Sequence, residues 1–333
     1  MASLLQLDDL SVGVQVNGQS IKLIDHVCFS VAPGQILGLV GESGCGKSTV
    51  VKSILNILGR GLRFEGGAIQ LEGKDLTTMS EAELSRDVRG GRIGFVPQDP
   101  MLALNPTFRV GTQLLEIWKR HGPAHLRRDT KTGRQSIIDL FRDVQLPEPE
   151  EAYRKYPHEF SGGQRQRILI AAALLCGPKL IIADEATTAL DVTIQHQILG
   201  LLKKLAKERK VGILLVTHDL GVVNAICDSA VVMYAGQVVE SGNVDSLLGS
   251  PAHPYTQALF ERHPDREAQL SGIPGLVAQP GSFPTGCRFR PRCSKAQDGC
   301  ATRSQHFQPI AADHSVNCIL YDVDEEHSHA FAG

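Results

Sequence analysis

The run Gly41-Glu42-Ser43-Gly44-Cys45-Gly46-Lys47-Ser48 fits the pattern G-x-x-x-x-G-K-[ST], and its neighbours give the pattern meaning. Just before it, Ile36–Val40 is a short continuous apolar segment, which predicts a strand buried on both faces. Just after it, Val50, Val51, Ile54, Leu55 and Leu58 recur at helical spacing. A strand, a glycine-rich loop and a helix in that order make an anion cradle. The glycines let backbone N–H groups turn inward around phosphate oxygens, and the positive end of the helix favours negative charge. Lys47 is then the cation for the β- and γ-phosphates of a nucleotide, and Ser48 offers its hydroxyl to Mg²⁺. Gly41, Ser43, Gly44, Cys45, Gly46 and Thr49 complete the expected nucleotide contacts. A purely structural glycine turn is the competing reading, and the flanking strand and helix speak against it.

Upstream, Ser11–Val16 and Val27–Val31 are short β-branched and apolar runs broken by Asn17-Gly18 and Pro33-Gly34, which is strand-and-turn chemistry. Downstream, Ile93–Val96 predicts another buried strand, followed by Pro97-Gln98-Asp99-Pro100. The next stretch is richer in charge, holds the only tryptophan, Trp118, and shows helical patterning over Gly111–Lys119 and Arg134–Val144. It predicts a helical subdomain over about residues 98–160. Strand-like runs return at Leu180–Ala183 and Ile213–Thr217, with a helix over Val192–Lys210 between them. Strands alternating with helices predict an α/β fold with a parallel, helix-covered sheet.

Leu180-Ile181-Ile182-Ala183-Asp184-Glu185 is an apolar strand ending in two carboxylates. Acids at the C-terminal end of such a strand project into the crevice where open α/β sheets bind ligands. Asp184 suits Mg²⁺, held through water, and Glu185 is free to orient and deprotonate an attacking water. Taken alone, the pair reads equally well as two solvated acids at a strand end.

Bulk composition narrows the classes. Lys plus Arg (34) nearly balance Asp plus Glu (36), so no global charge field argues for a nucleic-acid partner. No apolar run reaches bilayer-spanning length, and the N-terminus lacks the basic and apolar regions of a signal peptide. The chain is expected on the cytoplasmic face of a membrane only through partners.

Phe160-Ser161-Gly162-Gly163-Gln164-Arg165-Gln166-Arg167 adds a second anion cradle, because Ser161 and the following glycines open a helix. With this segment in view, residues 1 to about 250 resemble the ATP-binding cassette (ABC) family, a P-loop ATPase core carrying a helical subdomain. The resemblance implies that Ser161, Gly162, Gly163 and Gln164 bind the γ-phosphate of ATP held by a second ATPase subunit in a head-to-tail dimer. It makes Gln98 the residue that touches Mg²⁺ and water and senses the γ-phosphate, Thr188-Ala189-Leu190-Asp191 the D-loop, and His218 the switch histidine. Two departures stand out. Ala186 replaces a proline common in the family, and residues 12–26 hold no Phe, Tyr or Trp for adenine, which is expected on aliphatic side chains near Ile21–Leu23.

Residues 251–333 change texture: Pro and Gly are frequent and apolar periodicity fades. Pro251-Ala252-His253-Pro254-Tyr255 and Gly286-Cys287-Arg288-Phe289-Arg290-Pro291-Arg292-Cys293 resemble the C-terminal extension of dipeptide and oligopeptide importer ATPases, a group that includes nickel-peptide and glutathione importers. Four cysteines, Cys287, Cys293, Cys300 and Cys318, run C-x5-C-x6-C-x17-C. Four thiolates hold either zinc or an iron–sulfur cluster, or they stay unligated. The gaps are wider than the C-x2–4-C of structural zinc sites. Wider spacing suits a larger cubane, and resemblance to importer tails that bind [4Fe-4S] implies that cluster. The segment reads as too poor in apolar residues to fold on a core of its own, so the cluster is expected as a structural staple. Because it reads as a separate module, changes in it are expected to leave ATP binding intact.

The expected function is therefore an ATP-hydrolysing subunit that powers import of peptides, or of nickel, glutathione or another small solute. Its expected partners are a second ATPase chain, two transmembrane permease subunits and, indirectly, a solute-binding protein. A soluble ABC ATPase without a transport role is the other class. The single cassette and the absence of sustained heptads or a basic patch weigh against it.

Overall fold

The computed structural model describes residues 3–16, 18–187, 191–260, 273–302 and 307–322. Two long antiparallel strands open the chain, β1 (Leu5–Val16) and β2 (Gln19–Val31). The buried β3 (Ile36–Val40) runs into the glycine loop and helix α1 (Lys47–Ile54). Strands β4 (Leu62–Leu71) and β5 (Lys74–Asp75) complete a four-stranded sheet in the order β2-β1-β4-β5. After the short helical turn α2 (Glu81–Glu83) and strand β6 (Ile93–Val96) come the helices of the arm, α3 (Pro100–Ala103), α4 (Val110–His121), α5 (Thr130–Asp143), α6 (Pro149–Ala152) and α7 (Gly162–Leu174). The chain then alternates: β7 (Leu180–Asp184), α8 (Val192–Arg209), β8 (Gly212–Thr217), α9 (Leu220–Ile226), β9 (Ser229–Tyr234), β10 (Gln237–Asn243) and α10 (Val244–Gly249). Beyond these lie α11 (Pro254–Phe260), β11 (Gln308–Ala311) and β12 (His314–Val316).

The larger sheet has eight strands in the order β11-β12-β10-β9-β3-β8-β7-β6. Strands β6, β7, β8, β3 and β9 are parallel, so their C-terminal ends open on one side. Apart from Phe95 on the edge strand β6, nearly every residue of these strands is buried, which is why they read as continuous apolar runs. One core packs the two sheets and α1 together through residues such as Leu5, Leu7, Leu39, Val50, Ile54 and Val231. A second joins the other face of the large sheet to the arm, with Trp118, Ile137, Phe141 and Ile168 inside it. Gly94 sets how closely α7 rides on β6, since a Cβ there would stand 2.3 Å from the Ala173 carbonyl oxygen.

The C-terminal extension differs from its expectation as a coreless, separate module. Strand β12 pairs antiparallel with β10, Glu240 opposite Val316, so the extension continues the main sheet. Tyr255 and Phe289 dock on Tyr234 with ring centroids 4.8 and 5.1 Å away, and Tyr234, Tyr255 and Phe289 are each no more than 2% exposed. The extension borrows a core from the sheet, and three aromatic rings supply area that a count of aliphatic residues misses. A buried carboxylate fixes its start. Glu240 accepts the backbone N–H groups of Ala252 and His253 at 2.8 Å each and faces His314 Nε2 at 2.7 Å.

Candidate functional site

The glycine loop is built by sterics first. Gly41 has φ 157° and lies so close to the Met233 carbonyl that a Cβ would stand 2.3 Å from its oxygen. Gly46, at φ 109°, is the N-cap of α1, a left-handed position that suits glycine. Ser43, Gly44 and Ser48 are exposed at the mouth of the loop. Lys47 is buried, and its ammonium donates to the carbonyls of Gly41 at 2.6 Å and Glu42 at 3.1 Å. The Cys45 side chain points into the core at 1% exposure, and burial pushes its thiol up from the ordinary range. Its sulfur packs under the loop, 3.8 Å from Lys47 Nζ. The Leu23 carbonyl of β2 stands 3.8 Å from a Cβ built on Gly46, so the Ile21–Leu23 segment runs beside this loop.

Three expected catalytic side chains meet. Gln98 Nε2 donates to Glu185 Oε2 at 2.8 Å, and His218 Nδ1 stands 3.1 Å from Glu185 Oε1. They come from the C-terminal ends of three adjacent parallel strands, β6, β7 and β8, although 87 and 33 residues separate Gln98 and His218 from Glu185. Glu185 sits at φ +47°, a left-handed conformation unusual for a side chain of this size, and its N–H donates to the Val216 carbonyl at 2.9 Å. Asp184 is half-buried. Burial raises its carboxyl above the usual range, Glu185 adds to the rise, and Lys47 and Lys52 draw it back. A hard carboxylate, an exposed serine hydroxyl and an amide oxygen are suitable oxygen donors for Mg²⁺.

Ser161 caps α7. Its hydroxyl accepts the Gln164 N–H at 3.3 Å, and the Gln164 side chain accepts the Ser161 N–H at 3.0 Å. Ser161 and Gly162 are exposed, whereas Gly163 is buried against Ile194 of α8, where a Cβ would stand 2.6 Å from a methyl carbon. Asp191 caps α8 by accepting the Ile194 N–H at 2.9 Å, and the loop residues Thr188, Ala189 and Leu190 lie outside the described residues.

The four clustered cysteines line one cavity of about 40 Å³ together with Phe289 and Tyr234. Burial raises the thiols of Cys287 and Cys293, and it pushes Cys318 up to about 11. Among the described residues, no group of three or more His, Cys, Asp or Glu side chains is arranged to hold a metal ion. Three of the four thiols reach this cavity from different short turns. Cys293 ends the turn Arg290–Arg292, Cys300 lies within Asp298–Ala301, and Cys318 precedes Ile319–Tyr321.

Two contacts at the phosphate loop had no local signal in the sequence. Tyr255 accepts the Glu42 N–H at 2.8 Å, and Arg292 donates to both Glu42 carboxylate oxygens, at 2.7 and 3.1 Å. The extension therefore touches the loop from which the sequence reading separates it.

Comparisons with known proteins agree with this architecture. A family model described as ABC transporter matches residues 24–188, and one described as oligopeptide/dipeptide transporter, C-terminal region, matches residues 239–300. The oligopeptide transport ATP-binding protein AppD of Bacillus subtilis is 41% identical over 97% of this chain and 98% of its own length. The dipeptide transport ATP-binding protein DppD of Escherichia coli is 40% identical over 97% of this chain and 98% of its own. The solved structure of cbiO1 from Clostridium perfringens, part of the ABC transporter complex cbiONQ, aligns with a TM-score of 0.63 at 25% identity, covering 75% of this chain and 92% of that one. Identity of this order along nearly the whole length, over both the cassette and its C-terminal region, makes the chain an ATP-binding subunit of the ABC transporter family, in the oligopeptide/dipeptide group.

Proposed function

We propose that the chain binds ATP·Mg²⁺ at its glycine loop, hydrolyses it with Glu185 as the base, and so powers import of peptides through transmembrane partners. The observation that carries this reading is the convergence of Gln98 and His218 on the two oxygens of the Glu185 carboxylate. A base held from both sides is oriented before the water arrives, which is what proton abstraction needs. Lys47, now turned onto its own loop carbonyls, exchanges those partners for phosphate oxygens. Ser48, Asp184 and Gln98 would hold Mg²⁺, which supplies charge neutralisation across the β- and γ-phosphates when bound. The exposed start of α7 at Ser161 and Gly162 is suited to the γ-phosphate of a nucleotide carried by a second cassette. The relatives named as peptide, oligopeptide or dipeptide ATP-binding proteins support a peptide cargo.

Attachment to a membrane runs through partners in this reading, since no described helix is long and apolar enough to cross one. Met101, Leu102 and Phe108 expose 62, 85 and 54% of their surfaces just beyond Gln98, an apolar patch suited to a cytoplasmic helix of a permease. We assign Cys287, Cys293, Cys300 and Cys318 to a [4Fe-4S] staple, because four soft thiols line one cavity. Bound there, it would cross-link the short turns that carry these thiols. Stoichiometric zinc without iron or acid-labile sulfide in anaerobically purified protein would remove the cluster.

Glu185→Gln tests the central reading. The variant should bind ATP, accumulate as an ATP-occupied dimer and lose steady-state turnover, because the amide takes no proton from water. Near-normal turnover would show that another group is the base.

A further inference from the structure

We infer that Arg292 is a positioning residue for ATP binding, a cation from the C-terminal extension that cancels the Glu42 carboxylate inside the phosphate loop. The inference rests on the reading of Gly41–Ser48 as the phosphate site. Glu42 is an awkward residue for such a loop, since it places a negative charge within the segment that must bind a polyphosphate. Arg292 answers it with a two-pronged pair, Nη1 to Oε2 at 2.7 Å and Nη2 to Oε1 at 3.1 Å. The Arg292 side chain is 4% exposed and is itself held fast. Its Nε donates to the Pro274 carbonyl at 2.9 Å, Nη2 also donates to the Ile273 carbonyl at 2.9 Å, and the guanidinium lies 5.7 Å from the ring centroid of Tyr234. A planar fork held in this way fits a carboxylate as a lysine ammonium would not.

Glu42 is gripped at three points. Arg292 holds its carboxylate, Tyr255 accepts its N–H at 2.8 Å, and its carbonyl accepts Lys47 Nζ at 3.1 Å. One residue thus links the extension to the lysine that meets the phosphates. Removing Arg292 leaves a partly buried carboxylate without its counter-charge, next to the place where ATP brings several more negative charges. The effect is on affinity. Gln98, Glu185 and His218 are not part of this chain of contacts, so the hydrolytic step itself is spared.

The test is a cycle of variants of the full chain, read as the dissociation constant of ATP by displacement of a fluorescent ATP analogue. Arg292→Gln should weaken ATP about tenfold, the scale of one lost charge-assisted contact. Adding Glu42→Gln to it should restore affinity to within about threefold of the parent, because the charge needing cancellation is gone. In the assembled transporter, Arg292→Gln should raise KM for ATP and leave kcat within about twofold. A structural role alone would lower the melting temperature of both variants, leave ATP affinity unmoved and show no rescue. Affinity of Arg292→Gln within about twofold of the parent, while Lys47→Ala loses binding, overturns the inference and keeps the phosphate-loop reading. Unchanged affinity in Lys47→Ala overturns both. If Arg292→Gln does not fold, Arg292→Lys takes its place: an intermediate loss that Glu42→Gln relieves supports the inference, and parental affinity overturns it.

Discussion

Replacing Glu240 with Gln should release the C-terminal extension from the sheet. The Glu240 carboxylate is fully buried and divides its oxygens among three neighbours. Oε1 accepts the Ala252 N–H and faces His314, while Oε2 accepts the His253 N–H. A glutamine of the same shape has one acceptor oxygen and one NH2 group. Whichever way the amide is turned, its NH2 faces a backbone N–H that has no water to turn to. The loss is a charge-assisted hydrogen bond, about 1.5–3 kcal/mol, overlapping with an orphaned buried donor at about 1–3 kcal/mol. A central figure of about 3 kcal/mol raises the opening equilibrium of the segment about a hundredfold. Hydrogen exchange read by mass spectrometry on the full chain measures this directly. Peptides covering Pro254–Phe260 and His314–Val316 should exchange about a hundredfold faster, with the peptide over Leu180–Asp184 unchanged. Parental protection at both segments would refute the claim that Glu240 anchors the extension.

Acidification should loosen the same region through His253. Burial holds its imidazole down at about 3, from an ordinary 6.5, so the folded chain keeps it neutral while the unfolded chain protonates it. The unfolded state then binds more protons below pH 6.5, and stability falls as pH falls, by about 1.4 kcal/mol per unit until about pH 3. His253→Asn should flatten that slope between about pH 6 and pH 4 in urea unfolding, and an unchanged slope would contradict the assignment. Gly94→Ala should lower the denaturation midpoint by the equivalent of about 2 kcal/mol or more, because the new methyl meets backbone of α7 with nowhere to move. Gly200→Ala, in α8 with nothing within 4 Å of the added carbon, should be neutral or stabilising by about 0.5–1 kcal/mol. A larger loss at Gly200 than at Gly94 would overturn this account of the packing.

Ile36–Val40 and Ile93–Val96 form strands with the very bounds of their apolar runs: the first is buried throughout, only Phe95 of the second is exposed, and no polar residue blurs the signal. Gln98 and His218 are singled out by resemblance to the cassette family, and each follows a strand of one parallel sheet, so both emerge at the end that carries Glu185. Strand β4 was not legible. Gly66 and Gly67 interrupt it, and only two of its ten residues are buried, so neither periodicity survives. The continuation of the sheet into the extension was hidden for a different reason. Strand β12 is three residues long, and its partner β10 lies more than seventy residues earlier. The pair of Arg292 with Glu42 spans 250 residues, and nothing local to either side chain announces the other.

The β11–β12 hairpin also changes what the main sheet shows to its surroundings. Without it, β10 would be a terminal strand of seven residues, Gln237–Asn243, with a row of backbone donors and acceptors open to any passing strand. Such a border is where sheets from different molecules join end to end. With the hairpin in place the border moves to β11, which is four residues long and carries Pro309, a residue with no N–H to lend to a ladder. A chain shortened to end at Ser250 would therefore expose a template for self-association that the full chain keeps covered. Its expected failure is aggregation, and it would come before any loss of catalytic chemistry.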